Sequence, residues 1–169
     1  MARLNLRRFA ITLAQIEAIK FGSFKLTSGK LSPYYIDLRL VSSHPEVFHL
    51  CMEAYRRLAR KIGLENFDLL VGVPTAGIAF ASVLAYQLRK PLAYVRKEVK
   101  GWGLERRVEG LIQRGSRILL IDDLVTTGKS LLEAAEALKS VGGKPSHAVV
   151  LLDREEGGED ALEKSGITL

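Results

Sequence analysis

The chain has 169 residues, of which 47% are hydrophobic and 26% charged, and a length of this size fits one globular domain with a substantial core. No apolar run reaches the roughly 20 residues that a membrane-spanning helix needs, and the single cysteine, Cys51, excludes a disulfide within the chain and fits a reducing cytoplasm. The net charge of +6 favours anionic ligands, without distinguishing nucleic acid from a phosphorylated small molecule.

The N-terminal part predicts a helix, a pair of strands and a second helix. Residues 3–21 have the spacing of an amphipathic helix, and the polar residues within them argue against a signal peptide. Residues 24–41 contain strand-like stretches around a turn at 28–30. Pro45 opens the next predicted helix, which covers 45–62.

From residue 64 onward, short apolar strands alternate with helices. Strands are predicted at 68–73, 91–95, 117–121 and 146–153, and helices at 76–89, 129–140 and 158–165. This alternation predicts an α/β fold in which helices flank a parallel sheet. We expect a single domain over 1–169, with an N-terminal segment at 1–40 and an α/β core at 64–169. Ligands of such folds lie beyond the carboxyl ends of the strands, so the loops there carry the candidate site.

The loop after the third core strand combines an acidic half with a phosphate-binding half. Its residues 122–130 read DDLVTTGKS, and 128–130 fit the end of a P-loop. Asp123 stands where a P-loop has its first glycine, which argues against a P-loop kinase. The hydroxyl side chains and the helix that follows suit one phosphate, while carboxylates accept hydrogen bonds from a vicinal diol. A sugar phosphate satisfies both halves; alternatively, the acids cap the turn or bind Mg²⁺.

An apolar strand, two acids, two apolar residues and Thr-Thr-Gly resemble the phosphoribosyl pyrophosphate (PRPP) signature of type I phosphoribosyltransferases. The resemblance implies that Asp122 and Asp123 hold the ribose hydroxyls and that the loop after them holds the 5-phosphate. The residues assigned to PRPP in this loop are Asp122, Asp123, Leu124, Val125, Thr126, Thr127, Gly128, Lys129 and Ser130. It also implies that pyrophosphate and Mg²⁺ lie at 72–81, although the sequence PTAG there fits a plain turn equally well. Substrate oxygens and water, and no protein side chain, would hold the Mg²⁺.

The polar stretch 95–110 resembles the catalytic loop of orotate phosphoribosyltransferases, Arg-Lys-Glu-x-Lys-x-x-Gly. The matching residues are Arg96, Lys97, Glu98, Lys100 and Gly103. The resemblance implies that Arg96, Lys97, Lys100 and Trp102 bind PRPP, and that Lys100 is catalytic together with Asp122 and Asp123. Gly101-Trp102 stands where bacterial members often carry Asp-His, so a proton-donating histidine is not carried over to this chain.

Two further segments resemble the orotate-binding side of the same family. Residues 21–39 resemble its N-terminal hood, in which Tyr34 and Tyr35 fall where aromatic rings flank the pyrimidine, although both also fit a strand core. Arg154 follows a core strand, and a guanidinium there can pair with a carboxylate through two hydrogen bonds. Orotate carries such a carboxylate, whereas adenine, hypoxanthine and uracil do not. The resemblance also assigns Thr126 to orotate.

Together these segments predict an orotate phosphoribosyltransferase with PRPP and orotate as substrates and Mg²⁺ as cofactor. The family implies a cytoplasmic homodimer whose active sites are shared between subunits, with no membrane or nucleic-acid partner. One alternative is a purine phosphoribosyltransferase, against which Arg154 and the 21–39 segment argue. Another is a regulator on the same fold that senses PRPP and binds nucleic acid, against which the intact 96–103 loop argues.

Trp102, the only tryptophan, should report closure of the catalytic loop. Its glycine neighbours leave it little to pack against, so we expect its indole to be wet until PRPP with Mg²⁺ draws the loop lysines onto the pyrophosphate. Its fluorescence emission should then shift to shorter wavelength, orotate alone should do much less, and Lys100→Ala should blunt the response. The account would be contradicted if the emission of Trp102 in the free protein were already at short wavelength, resisted quenchers and did not change when PRPP was added.

Overall fold

The computed structural model describes residues 6–25, 31–97 and 107–169. The chain divides into two compact units, Met1–Ala54 and Tyr55–Leu169. Over the described ranges, no helix combines the length and the apolar character needed to cross a membrane.

The N-terminal unit contains a helix and a strand pair, and the second helix begins in it. Its elements are α1 (Leu6–Gln15), β1 (Ile19–Lys25), β2 (Leu31–Ile36), a 3₁₀ helix (Leu38–Ser43) and α2 (Pro45–Ile62). The bounds predicted for α2 are confirmed. The helix predicted over 3–21 is wrong beyond Gln15, because Ile19–Lys25 is a strand whose backbone pairs antiparallel with β2. The turn predicted at 28–30 lies outside the described residues.

The C-terminal unit is an α/β core, as the strand–helix alternation predicts. After a 3₁₀ helix (Leu64–Asn66), its elements are β3 (Leu69–Gly72), α3 (Ala76–Leu88), β4 (Leu92–Val95), β5 (Val108–Glu109), β6 (Arg117–Ile121), β7 (Leu124–Val125), α4 (Lys129–Ser140), β8 (Lys144–Val149), β9 (Leu152–Asp153) and α5 (Gly158–Lys164). The main sheet has the order β5-β4-β3-β6-β8, in which only the β4–β5 pair is antiparallel among the described strands.

The centre of this sheet is buried on both faces. All four residues of β3 are buried, and the last four residues of β6, Ile118–Ile121, are completely inaccessible to solvent. A continuous apolar run of this kind is typical of a parallel strand that is covered by helices on both sides. The buried face of α4 supplies small and branched apolar side chains: Leu131, Ala134, Ala135, Ala137 and Leu138. The core thus holds the carboxyl ends of β3 and β6 in fixed positions.

The single strand predicted at 146–153 is in fact two strands. The first, β8, ends at Val149, and β9 leaves the main sheet to pair with β7 in a separate two-stranded parallel sheet. The N–H of Leu151 donates to the backbone oxygen of Asp123 at 3.0 Å, which draws the chain away from the main sheet. The apolar run VVLL at 149–152 hides this break, because no polar residue or glycine marks the boundary between the two strands.

Gly77 allows α3 to approach the end of β6. A Cβ atom at this position would overlap the backbone oxygen of Ile121 and would lie 2.9 Å from the Cα and 3.1 Å from Oδ1 of Asp122. The glycine is buried and lies in the first turn of α3. This close packing of α3 against the end of β6 therefore sets the distance between the 72–81 loop and Asp122.

Gly77→Ala should lower the free energy of unfolding by about 1–3 kcal/mol, as overpacking of a core does. This is opposite in sign to the effect of the same substitution at an unrestrained helix position, where alanine stabilises by about 1 kcal/mol. Gln87→Ala, at an exposed position of the same helix, is the control and should change stability by less than about 0.5 kcal/mol. Denaturant unfolding measures both; a stabilised Gly77→Ala protein would contradict the close approach.

Candidate active site

Two carboxylates lie at the carboxyl end of β6, held by bonds to their own backbone. Oδ1 of Asp122 accepts from the N–H of Asp123, and Oδ1 of Asp123 accepts from the N–H of Leu124, both at 2.9 Å. The hydroxyl of Tyr55, which is fully buried, donates to the backbone oxygen of Asp122 at 2.6 Å. Hydrogen bonds within the loop and the one from Tyr55 therefore fix the acidic pair at the edge where ligands of parallel sheets bind.

Burial makes the two carboxyl groups chemically different. Asp122 is only 6% exposed, and this burial, with the negative charge of Asp123 adding to it, raises the pKa of Asp122 to about 8. Asp123 is less buried. Near neutral pH the ligand-free pair therefore retains a proton and carries less than its two formal charges. A phosphate nearby meets less repulsion than the sequence alone suggests.

The loop at 124–130 is a backbone cradle that ends in a helix. Gly128 has a φ of 78° and immediately precedes α4, whose first-turn amide groups and dipole favour an anion. Thr127 and Ser130 are exposed and Thr126 is partly buried, so hydroxyl donors lie along the same loop. Lys129 is exposed and lies 3.9 Å from Glu133. The segment thus offers backbone and hydroxyl donors in one place.

Arg154 is held beside this loop by the pairing of β7 with β9. Its backbone N–H donates to the oxygen of Val125 at 3.0 Å. Gly158 packs against the same loop, since a Cβ atom there would lie 2.6 Å from the backbone oxygen of Thr126. The structure therefore brings together Arg154 and the 124–130 loop, which are predicted from the sequence as separate parts of one site.

The side chain of Arg154 makes an ion pair with Glu156. The Nε atom lies 2.9 Å from Oε1 of Glu156, and the two side chains are 8% and 29% exposed. Glu155 between them has a φ of 55°, and its N–H donates to Oδ1 of Asp153 at 2.8 Å. A tight turn therefore brings the glutamate back onto the arginine.

Arg96 lies at the root of the predicted catalytic loop. Its backbone N–H donates to the oxygen of Arg107 at 2.8 Å, and its Nη1 lies 3.1 Å from Oε1 of Glu109. Lys97 is exposed. Pairing of β4 with β5 thus anchors both ends of the segment between them. The assignments of Lys100 and Trp102 lie outside the described residues.

The two tyrosines predicted to flank the base lie on β2, in the N-terminal unit. Tyr35 is 38% exposed, and its ring centroid lies 5.6 Å from that of Phe24. Tyr34 is partly buried, and its backbone oxygen accepts from the hydroxyl of Ser32 at 2.7 Å. Tyr35 is therefore too exposed to act as a core residue, and the base-flanking role of both tyrosines stays a prediction.

Sequence reasoning missed three residues that support the site. Tyr55 lies far along the chain from Asp122, so no local pattern could reveal their hydrogen bond. Glu109 is remote from Arg96 in the same way. Glu156 stands two residues from Arg154 in the run REEGG, and this proximity could have suggested the ion pair.

Comparisons with known proteins agree with this geometry. A family model, the phosphoribosyl transferase domain, matches residues 41–167. The orotate phosphoribosyltransferase of Pyrobaculum aerophilum is 47% identical over 152 residues, which cover 90% of this chain and 77% of that protein. A crystal structure of orotate phosphoribosyltransferase from Aeropyrum pernix is similar, with a TM-score of 0.81 and 32% identity over 95% of this chain and 90% of that one. Another, from Mycobacterium tuberculosis H37Rv in complex with PRPP, has a TM-score of 0.72 and 25% identity over 95% and 90% of the two chains.

The buried carboxyl of Asp122 should make stability depend on pH. Because its pKa is about 8 in the folded protein and about 4 in the unfolded chain, the unfolded state releases the proton first. The stability that Asp122 contributes therefore falls as pH rises from about 4 to about 8. Asp122→Asn should remove this fall, so the stability of the variant relative to the wild type should increase over that window by more than about 1 kcal/mol, the equivalent of one pKa unit.

Asp68→Asn is a control with the opposite shift. Hydrogen bonds from Arg117 lower the pKa of Asp68 to about 2, so its contribution is present above pH 4 and is lost only as pH falls below that value. The difference in free energy of unfolding between Asp68→Asn and the wild type should therefore stay constant between about pH 4 and 8. Denaturant unfolding at several pH values measures both variants, and a flat difference for Asp122→Asn would contradict the buried neutral carboxyl.

Proposed function

The chain belongs to the orotate phosphoribosyltransferase family, and we propose that it transfers the ribose 5-phosphate group of PRPP to orotate. The products are orotidine 5'-monophosphate and pyrophosphate, and the reaction is a step of de novo UMP biosynthesis. The observation that carries the proposal is the β7–β9 pairing, which holds Arg154 beside the 124–130 loop. A ligand that satisfies both has a phosphate at one end and a carboxylate-bearing base at the other.

The acidic pair and the loop after it are proposed to bind the ribose 5-phosphate. Asp123 accepts hydrogen bonds from the ribose diol, and Asp122, buried and holding a proton at neutral pH, presents both a donor and an acceptor. The backbone and hydroxyl donors of 124–130 bind the 5-phosphate at the start of α4. Anchoring both ends of the sugar restricts how its anomeric carbon meets the base.

Arg154 and Thr126 are proposed to bind orotate. A guanidinium binds a carboxylate through parallel, charge-assisted hydrogen bonds, which a base without a carboxylate cannot make. Thr126 belongs to the same loop as the 5-phosphate site, so the base and sugar sites adjoin. Tyr34 and Tyr35 keep the role predicted for them from the sequence, as aromatic neighbours of the pyrimidine.

The departing pyrophosphate is proposed to be neutralised by cations of the chain, with Mg²⁺ bound to the substrate. We expect PRPP oxygens and water to hold the Mg²⁺, because this ion keeps several of its waters and is commonly bound through substrate phosphates. When bound, Mg²⁺ supplies positive charge to the pyrophosphate. Arg96, Lys97 and Lys100 add further positive charge as the bond from the anomeric carbon to pyrophosphate breaks and the bond to the orotate nitrogen forms. Positioning and charge stabilisation account for catalysis without a covalent nucleophile.

The enzyme is further proposed to act as a cytoplasmic homodimer. Cys51, the single cysteine, is buried and cannot form an internal disulfide, which supports a reducing compartment. The roots of the predicted catalytic loop are fixed at β4 and β5, and the segment between them is long enough to reach a neighbouring subunit.

The proposal is tested by incubating the protein with PRPP, Mg²⁺ and orotate and following the loss of orotate absorbance. Adenine and hypoxanthine are run beside it under the same conditions. We expect the protein to turn over orotate and neither adenine nor hypoxanthine. Turnover of a purine without turnover of orotate would overturn the proposal in favour of a purine phosphoribosyltransferase, and turnover of neither base would overturn it as well.

Substitutions at the two ends of the site should separate the two substrates. Asp123→Asn replaces a charged acceptor with an amide, so PRPP affinity should fall about 10–100-fold, since a hydrogen bond to a charged group contributes about 1.5–3 kcal/mol. Arg154→Ala should instead raise the KM for orotate far more than the KM for PRPP. Steady-state kinetics with each substrate varied in turn measures both. The assignments are wrong if a folded Asp123→Asn protein keeps its PRPP affinity, or if Arg154→Ala moves only the PRPP constant.

A shared active site predicts complementation between two inactive variants. Lys100→Ala and Asp123→Asn should each be nearly inactive. A heterodimer of the two variants has one site with an intact Asp123 from one chain and an intact Lys100 from the other. Mixing under conditions of subunit exchange should restore part of the activity. Heterodimers that are shown to form but stay inactive would mean that the loop acts in its own subunit.

A further inference from the structure

The environment of Arg154 contains a carboxylate that the proposed reaction does not use. The Arg154 side chain is only 8% exposed, and Oε1 of Glu156 lies 2.9 Å from its Nε. A guanidinium this far from water needs a nearby negative charge, because loss of hydration costs several kcal/mol. Glu156 supplies that charge before any substrate arrives.

A specific backbone turn brings these two side chains together. Glu155 has a φ of 55°, a left-handed conformation that is unfavourable for a residue with a side chain. Two contacts hold this turn in place: the N–H of Glu155 donates to Oδ1 of Asp153 at 2.8 Å, and Gly158 packs against the 124–130 loop. The ion pair is thus part of the segment 152–158 that β7 and β9 tie to the sugar-phosphate side of the site.

The contact with Glu156 restrains the position of the guanidinium. A guanidinium has five N–H donors in one plane, and each of two edges of that plane matches a carboxylate. The Glu156 carboxylate lies beside Nε without the geometry of a hydrogen bond, so it restrains the guanidinium through charge, which favours the position with Nε beside Glu156. We propose that Glu156 is a positioning residue for orotate binding, which holds the Arg154 guanidinium in the orientation that receives the carboxylate of the base; this inference rests on the proposed function.

Two variants of Glu156 test the inference in the full-length enzyme. Glu156→Ala should raise the KM for orotate roughly 10-fold, with kcat and the KM for PRPP changed less than about 2-fold, because only the orientation of Arg154 is lost. Glu156→Gln should raise it to a similar extent, because it removes the charge, and the contact with Nε is an ion pair without hydrogen-bond geometry. Glu155→Gln is the matched control: it makes the same charge change one residue away, at an exposed side chain, and should leave all three constants within about 2-fold of the wild type.

A double-mutant cycle separates positioning from a structural effect. In an Arg154→Ala background there is no guanidinium to orient, so Glu156→Ala should cause no further rise in the orotate KM. Three results would each overturn the inference. The first is an equal rise of the orotate KM in the Arg154→Ala background, and the second is an unchanged orotate KM in the Glu156 variants. The third is a lower orotate KM, which would mean that Glu156 competes with orotate. An Arg154→Ala enzyme with an unchanged orotate KM would overturn it as well.

The failures of the two proposals have different signatures. A wild-type enzyme that does not turn over orotate with PRPP refutes the proposed function, and the inference with it. A wild-type enzyme that is active, with an Arg154→Ala effect on orotate but none from Glu156, refutes only the positioning role. Glu156→Gln, which removes the charge but keeps the size of the side chain, gives the result should the alanine variant fold poorly.

Discussion

The parallel pairing of β7 with β9 is the constraint on which the candidate site depends. Each strand has only two residues, yet their backbone bonds connect the loop after β6 to the segment after β8. One backbone hydrogen bond contributes only about 0.5–1.5 kcal/mol, so these bonds matter more for geometry than for stability. They fix the spacing between the 5-phosphate end and the base end of the proposed ligand. The approach of Gly158 to the 124–130 loop adds a packing contact that a side chain at 158 would prevent.

Charges in the site are moderated by partners within the chain. Burial raises the pKa of Asp122, so the acidic pair can adjoin a phosphate without two full negative charges. On the positive side, Arg96 and Arg154 are each paired with a glutamate, Glu109 and Glu156. Each arginine therefore has a compensating negative charge beside it before an anion binds. Preorganised charges of this kind stabilise a developing charge without the cost of reorienting at the moment of reaction.

Local patterns predicted those elements whose ends are marked in the sequence. The bounds of α2, β6 and α4 agree with the prediction, because Pro45, the apolar run of β6 and the glycines after α4 are local signals. The prediction failed for β1 and β9, where the structure depends on a distant partner. Residues 19–25 continue an amphipathic spacing but pair with β2, and the strand at 146–153 breaks so that β9 can pair with β7.

By itself, the sequence determined which chemical groups the site contains: two adjacent carboxylates, a glycine-containing loop before a helix, and an arginine after a core strand. These are properties of residue type and short spacing, and they suffice to indicate the family. Only the tertiary structure decided the state of those groups. The pKa of Asp122, the support from Tyr55 and the position of Arg154 beside the 124–130 loop all come from residues far apart in the chain. Burial and hydrogen-bond geometry depend on which atoms meet in space, and that is settled only when the sheet and its helices pack.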